Sequence, residues 1–514
     1  MHLKIITIAA LLVLSSCSDR EPSVVSTLPA PMPVDLVIEN VTVIDPEQRS
    51  VSANRNVTIN AGRIVAIEGD SRANALEPKH VVDGSGKFLI PGLMDMHVHT
   101  AVRPVTEDTF KLLIANGVTG VRDMSADCWE PRGELFLCID EMRDYARRIE
   151  AGEITGPRLL RLSSAIVQSA PTWQLPEDPD PAYSPITAEQ GRSIANSLHQ
   201  RGVDLIKTYD RFHPDAYRAM LEEASLLGLE VSGHLPIFVS TAEASDLGQR
   251  SIEHARDILT DCSDFGPVYR SGNMAMLNGE TEAGWPKQDD LRVQSVTGFN
   301  PERCDALLSK LANNATHYVP THGTRELDFR ADQDEYRNNP CMVLMSAFVL
   351  NDWQRDLDKT AGQNAERLPE YEAYYQHGLQ LTKRAIDVDV PVMIGTDAND
   401  TMIIPGISLH EEMARFAEAG IEPMDILRAA TSTPATYLDR EDDFGGVSTG
   451  KIADLLLLSS NPLEDISATR DISAVIFGGE LMDRTRLTSI LRTLPSEQSE
   501  VDEAKKDRCL GLHE

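Results

Sequence analysis

The 514-residue sequence predicts an α/β protein: a parallel barrel with a small β domain at its side. Three observations carry that expectation. Strand-like and helix-like stretches alternate from about residue 89 to about residue 444. Strand-like runs flank this region at both ends. Residue types that ligate metals recur where the strand-like stretches end.

The composition is that of an ordinary globular protein, and the net charge of −32 argues against a nucleic-acid or anionic membrane-surface partner, both of which need a basic patch. Residues 1–4 are a short basic region and 5–14 an apolar run too short to span a bilayer. Leu14-Ser15-Ser16-Cys17 resembles a bacterial lipobox, with Cys17 acylated as the first mature residue. We therefore expect a signal peptide over 1–17 and a polar tether over 18–33. The protein would be exported and face the periplasm or cell exterior, touching the membrane only through its lipid anchor. Six further cysteines permit disulfides in such a compartment. Cys128 and Cys138 could close one short loop. We expect at least one disulfide, and the spacing leaves the connectivity open.

In chain order, 36–44, 57–59 and 63–67 are strand-like, and a further strand precedes Asp83-Gly84-Ser85-Gly86. These few strands cannot close a core alone. The strand-like runs 453–458 and 474–477 are their candidate partners.

The first barrel strand is an apolar run ending in His97 and His99. Residues i and i+2 of a strand share a face, so the two imidazoles project together and can hold one cation. A lone His-x-His is a weak motif. Its weight comes from the other strands: 117–123, 158–162, 202–209, 230–234, 251–254, 317–322 and 390–397. In a parallel barrel the active site lies at the C-terminal strand ends, where Lys207, His234, His254 and Asp397 join the two histidines. Long connections at about 255–316 and 323–389 follow strands six and seven.

The run Pro91-Gly92-Leu93-Met94-Asp95-Met96-His97-Val98-His99 resembles the first barrel strand of the amidohydrolase superfamily of metal-dependent hydrolases. The prolidase-like and imidazolonepropionase-like members are the most similar. Gly117 to Asp123, Gly202 to Lys207, Gly450 to Leu455 and Asn461-Pro462-Leu463 extend the resemblance along most of the chain. It implies a (β/α)8 TIM-type barrel over 89–444 and a small β-sandwich composed of 34–88 and 445–495, leaving 496–514 as an acidic tail. It also implies two divalent metal ions, zinc being the expected metal, with Lys207 carbamylated by carbon dioxide as the bridge. His97, His99 and Asp397 would hold the more buried ion, and His234 and His254 the second.

The expected reaction is cleavage of an amide bond in a small molecule, a dipeptide or N-acyl amino acid, by a hydroxide bridging the two metals. Asp397 would serve as general acid and base as well as ligand. Tyr209, two residues from Lys207, and His322, at the end of strand seven, are candidates for stabilising the oxyanion. Arg122 and Asp123 are expected to form an ion pair beneath the site, and His410 and Glu411 to brace a loop after strand eight. The rival readings are hydrolysis of a cyclic amide or lactone, and a non-catalytic binding lipoprotein on the same fold. A homo-oligomer is compatible with any of these.

Overall fold

The computed structural model describes residues 32–69, 76–128, 135–169, 184–280, 288–494, 505–506 and 509. The leader with Cys17, the tether up to residue 31 and most of the acidic tail lie outside the described residues.

One apolar run serves two sheets. Phe88–Pro91 pairs antiparallel with Leu455–Leu458 in the β domain. Leu93–Val98 pairs in parallel with Val118–Asp123 in the barrel. Gly92 is the joint. A Cβ there would fall 2.1 Å from Thr119 Oγ1, so only glycine fits this close approach.

The β domain is a single eight-stranded sheet assembled from both flanks of the barrel. Its first edge returns on itself: Arg63 bridges Ile452 beside Leu455–Leu458. The sheet therefore wraps around its own core of Leu36, Ile38, Val57, Ile59, Leu89, Leu455 and Leu457. Leu456, Leu458, Ile90 and Val475 belong instead to the core shared with the barrel. The period-two alternation of a strand explains why four successive leucines are all buried: each face of Leu455–Leu458 has a core to fill.

The barrel closes through parallel pairings. Leu93–Val98, Val118–Asp123 and Arg158–Leu162 form one group. Leu205–Thr208, Glu230–Gly233, Ser251–Glu253 and His317–Val319 form another. A bridge from Ser163 to Leu205 joins the groups. The eighth strand, 390–397, is held by backbone bonds rather than a long ladder. Met393 N–H donates to Tyr318 O (2.9 Å), Met96 N–H to Ile394 O (3.0 Å) and Asp397 N–H to His97 O (2.7 Å).

The long connections are helical. Gly266–Leu277, Gln288–Thr297 and Pro301–Asn313 follow strand six; Ala347–Asn364 and Leu368–Asp387 follow strand seven. Arg367 bonds Asp290 at 3.0 Å and ties the two insertions together. Thr401 Oγ1 donates to Asp356 at 2.8 Å, anchoring the second insertion to the loop after strand eight. All six expected cysteines pair, as Cys128–Cys138, Cys262–Cys304 and Cys341–Cys509. No described helix is long and apolar enough to cross a membrane.

Candidate metal centre

Local signals place the donors. The helix Ala188–Arg201 opens with a capping box, Thr187 with Gln190, and ends at Gly202 in the left-handed conformation (φ +76°). That stop turns the chain into Leu205–Thr208 and delivers Lys207 to the barrel interior, where it is 1% exposed. His254 and Asp397 both adopt positive φ, +67° and +71°. This conformation is uncommon outside glycine and tends to be retained where the surrounding structure enforces it, as at functional sites.

Five of the expected donors converge. His97 Nε2 lies 3.1 Å from Lys207 Nζ and 3.3 Å from Asp397 Oδ1. His99 Nε2 lies 2.8 Å from the same Asp397 oxygen, and His254 Nδ1 lies 3.7 Å from Asp397 Oδ2. Donor atoms of His97, His254 and Asp397 all fall within 4.8 Å of one another. His254 thus stands between the two ligand sets expected from sequence. His234 stacks 4.4 Å from His254, and its Nδ1 is buried with no hydrogen-bond partner. An orphaned buried nitrogen is costly, and a cation beside it would remove that cost. The donor set of neutral imidazoles, a carboxylate and a lysine amine therefore fits a divalent metal.

Electrostatics agree with that fit. Burial, aided by Lys207, lowers His97 to about 4, and burial lowers His234 and His254 well below the ordinary range. All three are neutral near pH 7, as ligation requires. Burial also brings Lys207 down to about 8.

Tyr209 reaches the site, its ring 4.2 Å from that of His234. His322 does not. Its backbone N–H donates to Glu412 at 2.6 Å and its Nε2 lies 2.9 Å from Thr382 Oγ1. Its ring packs toward Tyr375 and Phe416, among the outer helices. The chain turns into the helix Gly323–Arg330 directly after it, which carries the side chain out of the barrel. The expected oxyanion role for His322 is not supported by this placement.

Arg122 and Asp123 do not pair with each other, because adjacent strand residues face opposite sides. Asp123 instead accepts from Thr100 N–H (2.7 Å) and Oγ1 (2.5 Å). Arg122 points inward, to Glu253 (2.8 and 2.9 Å). His410 is no ligand: its Nε2–H donates to Asn116 O at 2.8 Å, and its Nδ1 lies 2.9 Å from Thr469 Oγ1. Glu411 sits nearby with Ser408 Oγ at 3.1 Å.

Three contributors escaped sequence reasoning. Asp95 joins strands one and eight by accepting from Thr396 N–H (3.0 Å) and Oγ1 (2.6 Å). Thr321 Oγ1 lies 2.7 Å from His254 Nδ1. Glu253 bonds His97. Asp95 carries one readable signal, a carboxylate inside a mostly apolar strand; Glu253, in the short strand Ser251–Glu253, and Thr321 carry none.

Fold and site together define an eight-stranded α/β barrel with converging metal donors at its C-terminal strand ends. Residues 315–482 match the amidohydrolase family. The bottromycin amidohydrolase structure superposes with a TM-score of 0.67 at 17% identity, covering 90% of each chain. A Xaa-Pro dipeptidase with bound methionine gives 0.60 at 18% identity, over 87% of this chain and 99% of that one. The Adenine deaminase 2 of Shouchella clausii is 36% identical over 91 residues, 18% of this chain and 16% of that protein. The matched stretch thus spans about a sixth of this curated relative. The match to the amidohydrolase family thus covers about a third of the chain, toward its C-terminal end, and the superposed structures share its fold.

Proposed function

We propose that this protein is a metal-dependent hydrolase that cleaves an amide bond in a small molecule, a dipeptide or N-acyl amino acid. The observation that carries the reading is the meeting of His97, His99, Lys207, His254 and Asp397 around one point, with the orphaned His234 Nδ1 beside them. His97, His99, His254, His234 and Asp397 would hold two divalent ions, with Lys207 as a carbamate bridge. When bound, such ions supply an activated water at neutral pH and polarise a carbonyl. Asp397 accepts the nucleophile's proton and returns it to the leaving amine. The Tyr209 hydroxyl is placed to donate to the developing oxyanion. The low pKa of Lys207 supports carbamylation, because only the neutral amine takes up carbon dioxide. Three disulfides support an oxidising, extracytoplasmic setting, with Cys17 as lipid anchor.

The adenine deaminase match favours a second reading, hydrolytic loss of ammonia from a heterocyclic amine. One experiment separates them. The chain lacking residues 1–17, purified with zinc and bicarbonate, is assayed for amino-acid release from dipeptides and N-acyl amino acids, and for ammonia release from adenine. Asp397→Asn is the blank. Asp397-dependent amino-acid release supports the amidase reading. Ammonia release alone transfers the assignment to deamination, and no release with zinc bound defeats both.

A further inference from the structure

Beneath the donor layer lies a second, fully buried layer of charge. Glu253 and Arg122 are both 0% exposed. Arg122 uses every donor nitrogen: Nε to Met96 O (2.6 Å), Nη1 to Ser251 Oγ and Tyr437 Oη (both 2.8 Å), and Nη2 to Glu253 (2.8 and 2.9 Å). Glu253 also accepts from Ser251 Oγ and sits 2.7 Å from His97 Nδ1. An ionised carboxylate only accepts, so Nδ1 of His97 must carry the proton. That leaves the Nε2 lone pair of His97 facing Lys207 and Asp397. Burial pushes the Glu253 carboxyl up, yet Arg122 and His97 outweigh it and keep it ionised.

We infer that Glu253, clamped by Arg122, is a positioning residue that fixes the tautomer and orientation of the metal ligand His97. The arrangement does this twice over. Glu253 holds the ring through Nδ1, and Arg122 holds the carbonyl of Met96, the residue before His97. A pair serving only barrel stability would not need to bond a ligand histidine, and a buried ion pair is weak evidence for stability in any case. Outer partners of this kind are worth about 10–100-fold in metal affinity.

The inference rests on the metal reading, and its test keeps the two apart. Zinc affinity is measured by chelator competition on the wild type, Glu253→Gln, and the double variant Arg122→Met/Glu253→Leu; the Tm of each metal-free protein reports folding. The double variant replaces the ion pair by apolar groups of similar volume, a change that buried pairs commonly tolerate. Expected are about 10–100-fold weaker zinc binding in the folded double variant and a smaller loss in Glu253→Gln, whose amide oxygen still accepts from Nδ1. Zinc affinity within twofold of wild type in a folded double variant would overturn the inference and leave the metal reading intact. If the double variant does not fold, Glu253→Gln decides: weakened zinc binding with a near-normal Tm supports the inference, and unchanged binding overturns it. A wild type that binds no zinc would overturn the metal reading and this inference with it.

Discussion

The barrel interior and the outer shell of helices bury histidines equally well, yet only the interior builds a site. Burial lowers His97 to about 4, His322 to about 3 and His410 to about 4. By that measure the three are indistinguishable. Their neighbours differ. His97 Nε2 faces a lysine and a carboxylate, and that carboxylate also reaches His99 and His254. His322 and His410 face threonines, a glutamate and a backbone carbonyl, with no second imidazole in reach of the same point among the described residues. A depressed histidine therefore reports desolvation, and convergence of donors is what marks a ligand.

The largest expected effect falls on the interior. Asp397→Asn should lower hydrolysis by about 10³-fold or more, since under the proposed mechanism it removes both a ligand and the general acid and base. Steady-state rates on the best substrate check it, and a loss under tenfold would break the comparison at its centre. Zinc binding gives the next. At a hundredfold excess over Kd, zinc should stabilise the wild type by about 2.7 kcal/mol, and His97→Asn should lose most of that gain while His322→Gln keeps it. Thermal melts with and without zinc read the difference, and an equal loss in both variants would erase the distinction between interior and shell.

The outer histidines carry a pH signature. His410 is neutral in the fold down to about pH 4, whereas in the unfolded chain it titrates near 6.5. Between those values the unfolded state binds more protons, so the contribution of His410 is full above pH 7 and fades as pH falls toward 4. The stability advantage of wild type over His410→Gln should shrink by roughly 2 kcal/mol between pH 7.5 and pH 5, which urea melts at the two pH values measure. A pH-independent difference would mean that His410 titrates normally. The smallest effect concerns Tyr209. Tyr209→Phe should lower kcat about tenfold with little change in KM if its hydroxyl serves the transition state, and unchanged turnover would reduce Tyr209 to packing against His234.

Much of this was legible in residue order. Strand and helix periodicity, His97 and His99 at i and i+2, and single donors at successive strand ends are local patterns, set by backbone geometry within a few residues. They determined the barrel, the list of candidate donors and the reach of the β domain across both flanks. The tertiary structure decided what depends on neighbours far away in the chain. It sent His322 outward, because the helix beginning at Gly323 turns the chain out of the barrel. It gave Arg122 a partner 131 residues distant in place of the adjacent Asp123, and paired Cys341 with Cys509 across 168 residues. Sequence patterns record which way a side chain leaves its own strand; which atom it meets there depends on how eight strands and their connections close around it.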